Sequence, residues 1–292
     1  MHSQRSSGPE WALFISREEG LEQLKSSWKI EGKVPRFSRL YFGNEFCQKL
    51  IPSKEVVDRA LAMAYEQGMA FSLLTPYVTD EGLNRLDELF SFLSKGYPKT
   101  EVIVNDWGAQ HLLRRKHPCL KLSLGRVLNK LTRILPNLPY THEPSDTEAA
   151  SSAMRRPALS FPPYRRFLEK TEVQRVELDY PPQGLELERV DLPVSLYLPY
   201  GYLTTGRACM IGSLDLPKKE KFSSTAHCQY QCLNYFSELS SGTFSAAGQK
   251  LRLFQGGNTV FYRHSPEMVT KVVEMSQEIE EIRMVFQPQL PM

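Results

Sequence analysis

Short runs of β-branched and aromatic residues alternate with longer stretches of helical period along the whole chain. The strand candidates are residues 11–15, 39–42, 70–74, 102–104, 120–124, 173–178, 194–198 and 259–262. Between them, Ser53 caps a predicted helix over 54–67 in which Val56, Val57, Ala60, Leu61 and Ala64 share one face, and Gly68 ends it. Asp80 opens a second, with Leu83, Leu86, Leu89, Phe90 and Leu93 at helical spacing before Gly96 and Pro98 stop it. Strands that alternate with helices pair in parallel through crossovers, and eight of them predict a single domain over residues 1–292. The expected fold is α/β, a (β/α)8 TIM-like barrel with some irregularity.

Two segments break the alternation. Residues 136–163 combine several prolines with Ser-Asp-Thr-Glu and Ala-Ala-Ser-Ser, a composition that reads as a mobile insertion. Residues 209–254 are polar, aromatic and rich in cysteine, and read as an elaborated loop after the seventh strand. The chain has no internal repeat.

Composition narrows the function classes. Hydrophobic residues make up 41% and charged residues 24%, which suits a globular domain with a sizeable core. A net charge of +3 from 36 basic and 33 acidic residues argues against a nucleic-acid partner. Local clusters such as Arg114-Arg115-Lys116 read as solvated faces. No apolar run approaches the roughly 18–20 residues needed to span a bilayer, and residues 1–8 are polar, so no membrane span and a cytoplasmic location are expected. In that compartment thiols stay reduced, so the five cysteines read as metal ligands or catalytic groups before disulfide partners.

Cys228 and Cys232 are separated by three residues, with Cys209 upstream in the same segment. Cys47 lies just beyond the second strand candidate, on the side of a barrel where loops build sites, whereas Cys119 immediately precedes a strand and falls at the opposite rim. An iron–sulfur cluster takes four thiolates. A four-thiolate zinc site and a set of small buried side chains are the competing readings.

Four stretches resemble peptidase family U32: Leu40-Tyr41-Phe42-Gly43-Asn44-Glu45-Phe46-Cys47, Val102-Ile103-Val104-Asn105-Asp106-Trp107-Gly108, Tyr200-Gly201-Tyr202-Leu203 leading to Gly206-Arg207-Ala208-Cys209, and Cys228-Gln229-Tyr230-Gln231-Cys232. The chain is most similar to the short members of the oxygen-independent ubiquinone hydroxylation system. That resemblance implies a 4Fe-4S cluster on Cys47, Cys209, Cys228 and Cys232. It further implies prephenate-dependent hydroxylation of a ubiquinone precursor or similar aromatic substrate, in a heterodimer with a second U32-family protein. Ala208 departs from the pattern, since arginine usually stands directly before that cysteine.

Two other function classes stand beside this one. A non-catalytic electron-transfer or scaffold subunit would need the same cysteines, and a peptidase would need hydrolytic machinery. No His-Glu-x-x-His motif or nucleophile elbow is present. For a small aromatic or prephenate-like ligand, Asn105, Asp106 and Glu177 at strand ends are candidate orienting groups, with turn and capping roles as the alternative. Arg126 and Arg207 offer planar forks for a ligand carboxylate, or serve as structural ion partners. His111, His227 and His264 have no partner in sequence that suggests a triad, and Gly256-Gly257-Asn258 reads as a turn.

Overall fold

Period-two alternation is the feature that organises the molecule. The computed structural model describes residues 8–133, 148–188, 190–221, 223, 227–239, 245–246 and 249–292. Strands β1 (Glu10–Ile15), β2 (Arg39–Gly43), β3 (Ala70–Thr75), β4 (Glu101–Val104), β5 (Lys121–Leu124), β6 (Arg175–Leu178) and β7 (Val194–Leu198) run parallel in sequence order. The last barrel strand, β14 (Arg283–Phe286), pairs with both β7 and β1 and closes the ring. Along each strand one set of side chains, such as Leu13, Leu40, Leu73, Val102, Leu122, Val176 and Leu196, packs outward under the helices. The alternate set, Ala12, Phe14, Tyr41, Leu74, Ile103, Tyr197 and Val285, fills the barrel interior.

The helices are α1 (Lys54–Glu66), α2 (Asp80–Gly96), α3 (Trp107–Lys116), α4 (Glu148–Arg155), α5 (Pro162–Lys170) and α6 (Pro266–Glu278). Ser53 Oγ accepts from Val56 N at 3.4 Å, the expected cap, and Val57, Ala60, Leu61 and Ala64 are buried. The first crossover is a 3-10 turn at Glu18–Lys25 instead of an α-helix, so the barrel is irregular there. Among the described residues, no helix is long and apolar enough to cross a membrane.

The eighth strand candidate is corrected. Residues 259–262 belong to β13 (Thr259–Arg263), which lies in a separate antiparallel sheet of order β8-β13-β12-β9 with β8 (Tyr200–Thr205), β12 (Arg252–Gly256) and β9 (Phe236–Leu239). The true eighth strand is short and opens on Arg283, whose charge is absorbed at the barrel floor by Glu10 and Glu101; an arginine at a buried start hides it from a hydrophobicity pattern. Of the segment read as a loop after the seventh strand, residues 236–239 and 252–254 are strands of this sheet, and the described residues from 209 to 235 are turns. A two-residue pair, β10 (Ser245–Ala246) with β11 (Gln249–Lys250), accompanies it. Of residues 136–163, the part before 148 lies outside the described residues; the remainder is ordered as α4, a turn at Ala158–Ser160 and the start of α5, with Leu159 buried.

The extra sheet covers the C-terminal mouth of the barrel. Tyr202 Oη donates to Arg126 O (3.0 Å) and Tyr262 Oη to Tyr180 O (2.9 Å). The Phe46 ring sits 5.3 Å from both Tyr202 and Phe261. Gly201 permits the close approach, because a Cβ there would stand 2.2 Å from the Tyr262 ring.

Candidate functional site: a four-thiol cavity at the barrel mouth

Asn44 shapes the first element of the site. Buried directly after β2, its Oδ1 accepts from Phe46 N (2.9 Å) and Cys47 N (2.8 Å), an Asx turn that sends Phe46 into the core and leaves Cys47 at its edge. Gln48 Oε1 then accepts from Thr79 N (2.8 Å), fixing this loop to the one after β3. From the other side, Asn258 Nδ2 donates to Phe46 O (2.6 Å), Tyr77 Oη (2.9 Å) and Gly206 O (2.7 Å). One side chain in the turn between β12 and β13 therefore ties three loops together.

The remaining thiols arrive from the segment after β8. Cys209 Sγ accepts from Gly212 N (3.1 Å) and Cys228 Sγ from Tyr230 N (3.4 Å). A Cβ on Gly212 would meet Cys209 Sγ at 3.0 Å and Cys228 Sγ at 3.4 Å, so the glycine lets the two sulfurs flank it. Cys232 lies buried in a 3-10 turn at Gln231–Leu233 against Gly257. All four cysteines are free, and all four line one cavity of about 170 Å³. Cys119 is exposed at the opposite rim near Ser94.

The donor set of this cavity is uniform. Its described lining contains four thiols, the cations Lys49 and Arg207, and no carboxylate or imidazole. Burial pushes the Cys47, Cys209 and Cys232 thiols up, Cys232 to about 12, and the neighbouring sulfurs add to the effect. Among the described residues, no group of three or more His, Cys, Asp or Glu side chains is arranged to hold a metal ion.

The other candidate residues fall elsewhere. Arg207 is exposed and lines the cavity, its guanidinium 3.4 Å from Val78 O. Asp106 caps α3 by accepting from Ala109 N (3.0 Å), and Asn105 bridges Thr75 O (3.0 Å) and Val127 N (2.9 Å); both are structural. Asp106→Ala should therefore cost about 1 kcal/mol in a urea denaturation curve.

Arg126 is fully buried beneath the extra sheet, and its ion partners are the protein's own: Glu45 on one edge and Asp179 (2.7 Å) on the other. Its guanidinium also lies 3.8 Å from the Tyr197 ring centroid. No edge is left for a ligand carboxylate. Burial pushes Glu45 up against the pull of Arg126, whereas Asp179, buried too, is held below its ordinary value by Arg126 and Arg133 together. Glu177 is equally enclosed, where Tyr41 Oη (3.1 Å) and Ser195 Oγ (3.0 Å) donate to it. Burial pushes its carboxyl up to about 7. His264 is buried between Tyr180 and Tyr262, while His111 and His227 are exposed.

Sequence reasoning missed Glu45, Asp179, Arg133, Tyr77 and Asn258. Glu45 stood inside a quoted stretch beside Cys47, and Asn258 follows the paired glycines; for the others, contact across the mouth is the only signal.

No family model matches the chain, and no curated protein matches it. Among solved structures it is similar to the U32 peptidase Mk0906, at 10% identity and a TM-score of 0.45, covering 100% of this chain and 98% of that one. It is also similar to the spore cortex-lytic enzyme SleL of Bacillus megaterium QM B1551, at 10% identity and a TM-score of 0.37, covering 97% and 71%. A class V chitinase of Cycas revoluta follows at 9% identity and a TM-score of 0.35, covering 95% and 94%.

Proposed function

We propose that the chain is a U32-family protein of the cytoplasm that carries a 4Fe-4S cluster on Cys47, Cys209, Cys228 and Cys232. The observation that supports this reading is the convergence of four free thiols, from loops far apart in sequence, on one cavity without a carboxylate or imidazole. Soft thiolates with no oxygen ligand suit iron–sulfur chemistry and disfavour hard cations. The amides of Gly212 and Tyr230 aimed at sulfur, with Lys49 and Arg207 alongside, would offset the negative charge of such a group.

When bound, the cluster supplies one-electron transfer, and with four thiolates it leaves no iron site for substrate. The chain's own residues would then act beside it. Arg207 and Lys49 are the cations facing the cavity, and they would hold the carboxylate of a prephenate-like acid. Asn258 and Tyr77 keep the loops that carry Cys47 and Arg207 in register. This arrangement fits oxygen-independent, prephenate-dependent hydroxylation of a ubiquinone precursor, carried out with a second U32-family protein.

The test is purification without air, with iron and sulfide analysis, absorption and EPR spectra, on the natural sequence and five single Cys→Ala variants. Loss of most iron and sulfide in the variants at Cys47, Cys209, Cys228 and Cys232, with none at Cys119, is expected. Stoichiometric zinc, or iron unaffected by the four substitutions, would sink the reading. Prephenate-dependent hydroxylation by the protein with its partner tests the activity, and hydrolysis of casein by the pure chain would favour a peptidase.

A further inference from the structure

We propose that the N-terminal end of the barrel, opposite the thiols, holds a second ligand site for a small dianion on an apolar body: a phosphate monoester or a dicarboxylate bearing a ring. A bowl of about 770 Å³ opens there, within the size range of small-molecule sites. Its floor is Arg39, Arg283 and Glu101, and the charges of that floor are already balanced. Arg39 pairs with Glu10 (2.8 Å) and Glu101 (3.3 Å), and Arg283 with the same two carboxylates (2.7 and 2.8 Å). Ser72 and Ser123 each donate to Glu101 at 2.6 Å, which saturates it. The arginines keep capacity: Nη2 of Arg39 and Nη2 of Arg283 enter none of these bonds.

The wall above the floor is cationic and unbalanced. Lys99, Lys121 and Arg175 line it, and among the described residues none of the three has a carboxylate at ion-pair distance. Arg175 donates to the carbonyls of Val194 (2.8 Å) and Glu281 (3.1 Å) alone. Three cations around a concave surface, with no carboxylate at ion-pair distance among the described residues, concentrate positive potential inside it, and such a field draws an anion of charge about −2. The same bowl is also lined by Leu61, Met69 and a Tyr65 that is 85% exposed. An exposed tyrosine in the same bowl as a cation cluster suits a ligand with a ring at one end and the anionic group at the other.

The site shares no residue with the thiol cavity, so it stands or falls separately from the proposed cluster. Calorimetric titration of the full-length chain with phenyl phosphate, phthalate and phenol tests it and distinguishes the two anion types. One-site, saturable binding of phenyl phosphate or phthalate is expected, with none for phenol. The Lys99→Ala/Lys121→Ala double variant should bind at least tenfold more weakly. These side chains are exposed and unpaired, so the fold should persist, and Tyr65→Ala, expected to weaken binding about threefold, supplies an independent variant. Failure of both anions to bind, or affinity unchanged in the double variant, overturns the proposal. So does affinity lost in Arg207→Ala, which would place the anion at the thiol cavity.

Discussion

Arg126→Ala is expected to destabilise the folded chain by about 4 kcal/mol, because breaking a buried ion pair from one side leaves an unpaired charge in a dry interior. The side chain is enclosed between Glu45 and Asp179, so the truncation strands two carboxylates at once. Asp179 keeps Arg133 at 2.8 Å, but among the described residues Glu45 has no second cation. The loss approaches half the stability of an ordinary domain. Arg126→Lys should not rescue it, since one ammonium cannot serve both carboxylates and also stack on Tyr197. Glu45→Gln should be milder, about 1–2 kcal/mol, because the amide oxygen can still accept from Arg126, which keeps Asp179 as its counter-charge. Urea midpoints of the three variants measure the order. A change below about 1 kcal/mol in Arg126→Ala would mean that solvent reaches the pair and that the extra sheet does not seal the mouth.

The same residue marks how far the sequence could be read. Seven of the eight barrel strands were legible because each presents a short, largely buried run of aliphatic and aromatic residues between the other elements. The eighth was not, since Arg283 at its start is neutralised only by Glu10 and Glu101, from strands remote in sequence. The crowding of Cys209, Cys228 and Cys232 in one segment, with Cys47 placed after a strand and Cys119 before one, made the thiol group legible. Arg126 left two readings open for a physical reason: a fork suited to a ligand's carboxylate suits a protein carboxylate equally, and only the sheet laid over the mouth decides which it meets. Asp106 and Asn105 fell to the same ambiguity, resolved in favour of caps and loop ties.

Glu177→Gln is expected to stabilise the protein at pH 8 by about 2–3 kcal/mol and to change little near pH 4.5. Burial inside the barrel raises this carboxyl to about 7 from the ordinary 4.5, with Glu101 adding to the rise and Arg283 opposing it. The sign follows from proton binding. Between about 4.5 and 7 the folded chain holds a proton that the unfolded chain has released, so this group's contribution is fully present below 4.5 and is lost as pH rises through 7. A glutamine mimics the neutral acid, still accepting from Tyr41 and Ser195, and cannot ionise. Glu101 works in the opposite sense. Burial would raise it, but Arg283 and Arg39 hold it at about 2, so its contribution is present above 4.5 and is lost as pH falls toward 2. The natural chain should therefore lose stability on both sides of mildly acidic pH, and Glu177→Gln should flatten the alkaline side alone. Melting temperatures across pH 4–9 read this directly. An alkaline slope identical in the two proteins would show that Glu177 ionises freely in the folded barrel, which requires water beside Tyr41 and Ser195 where the interior is closed.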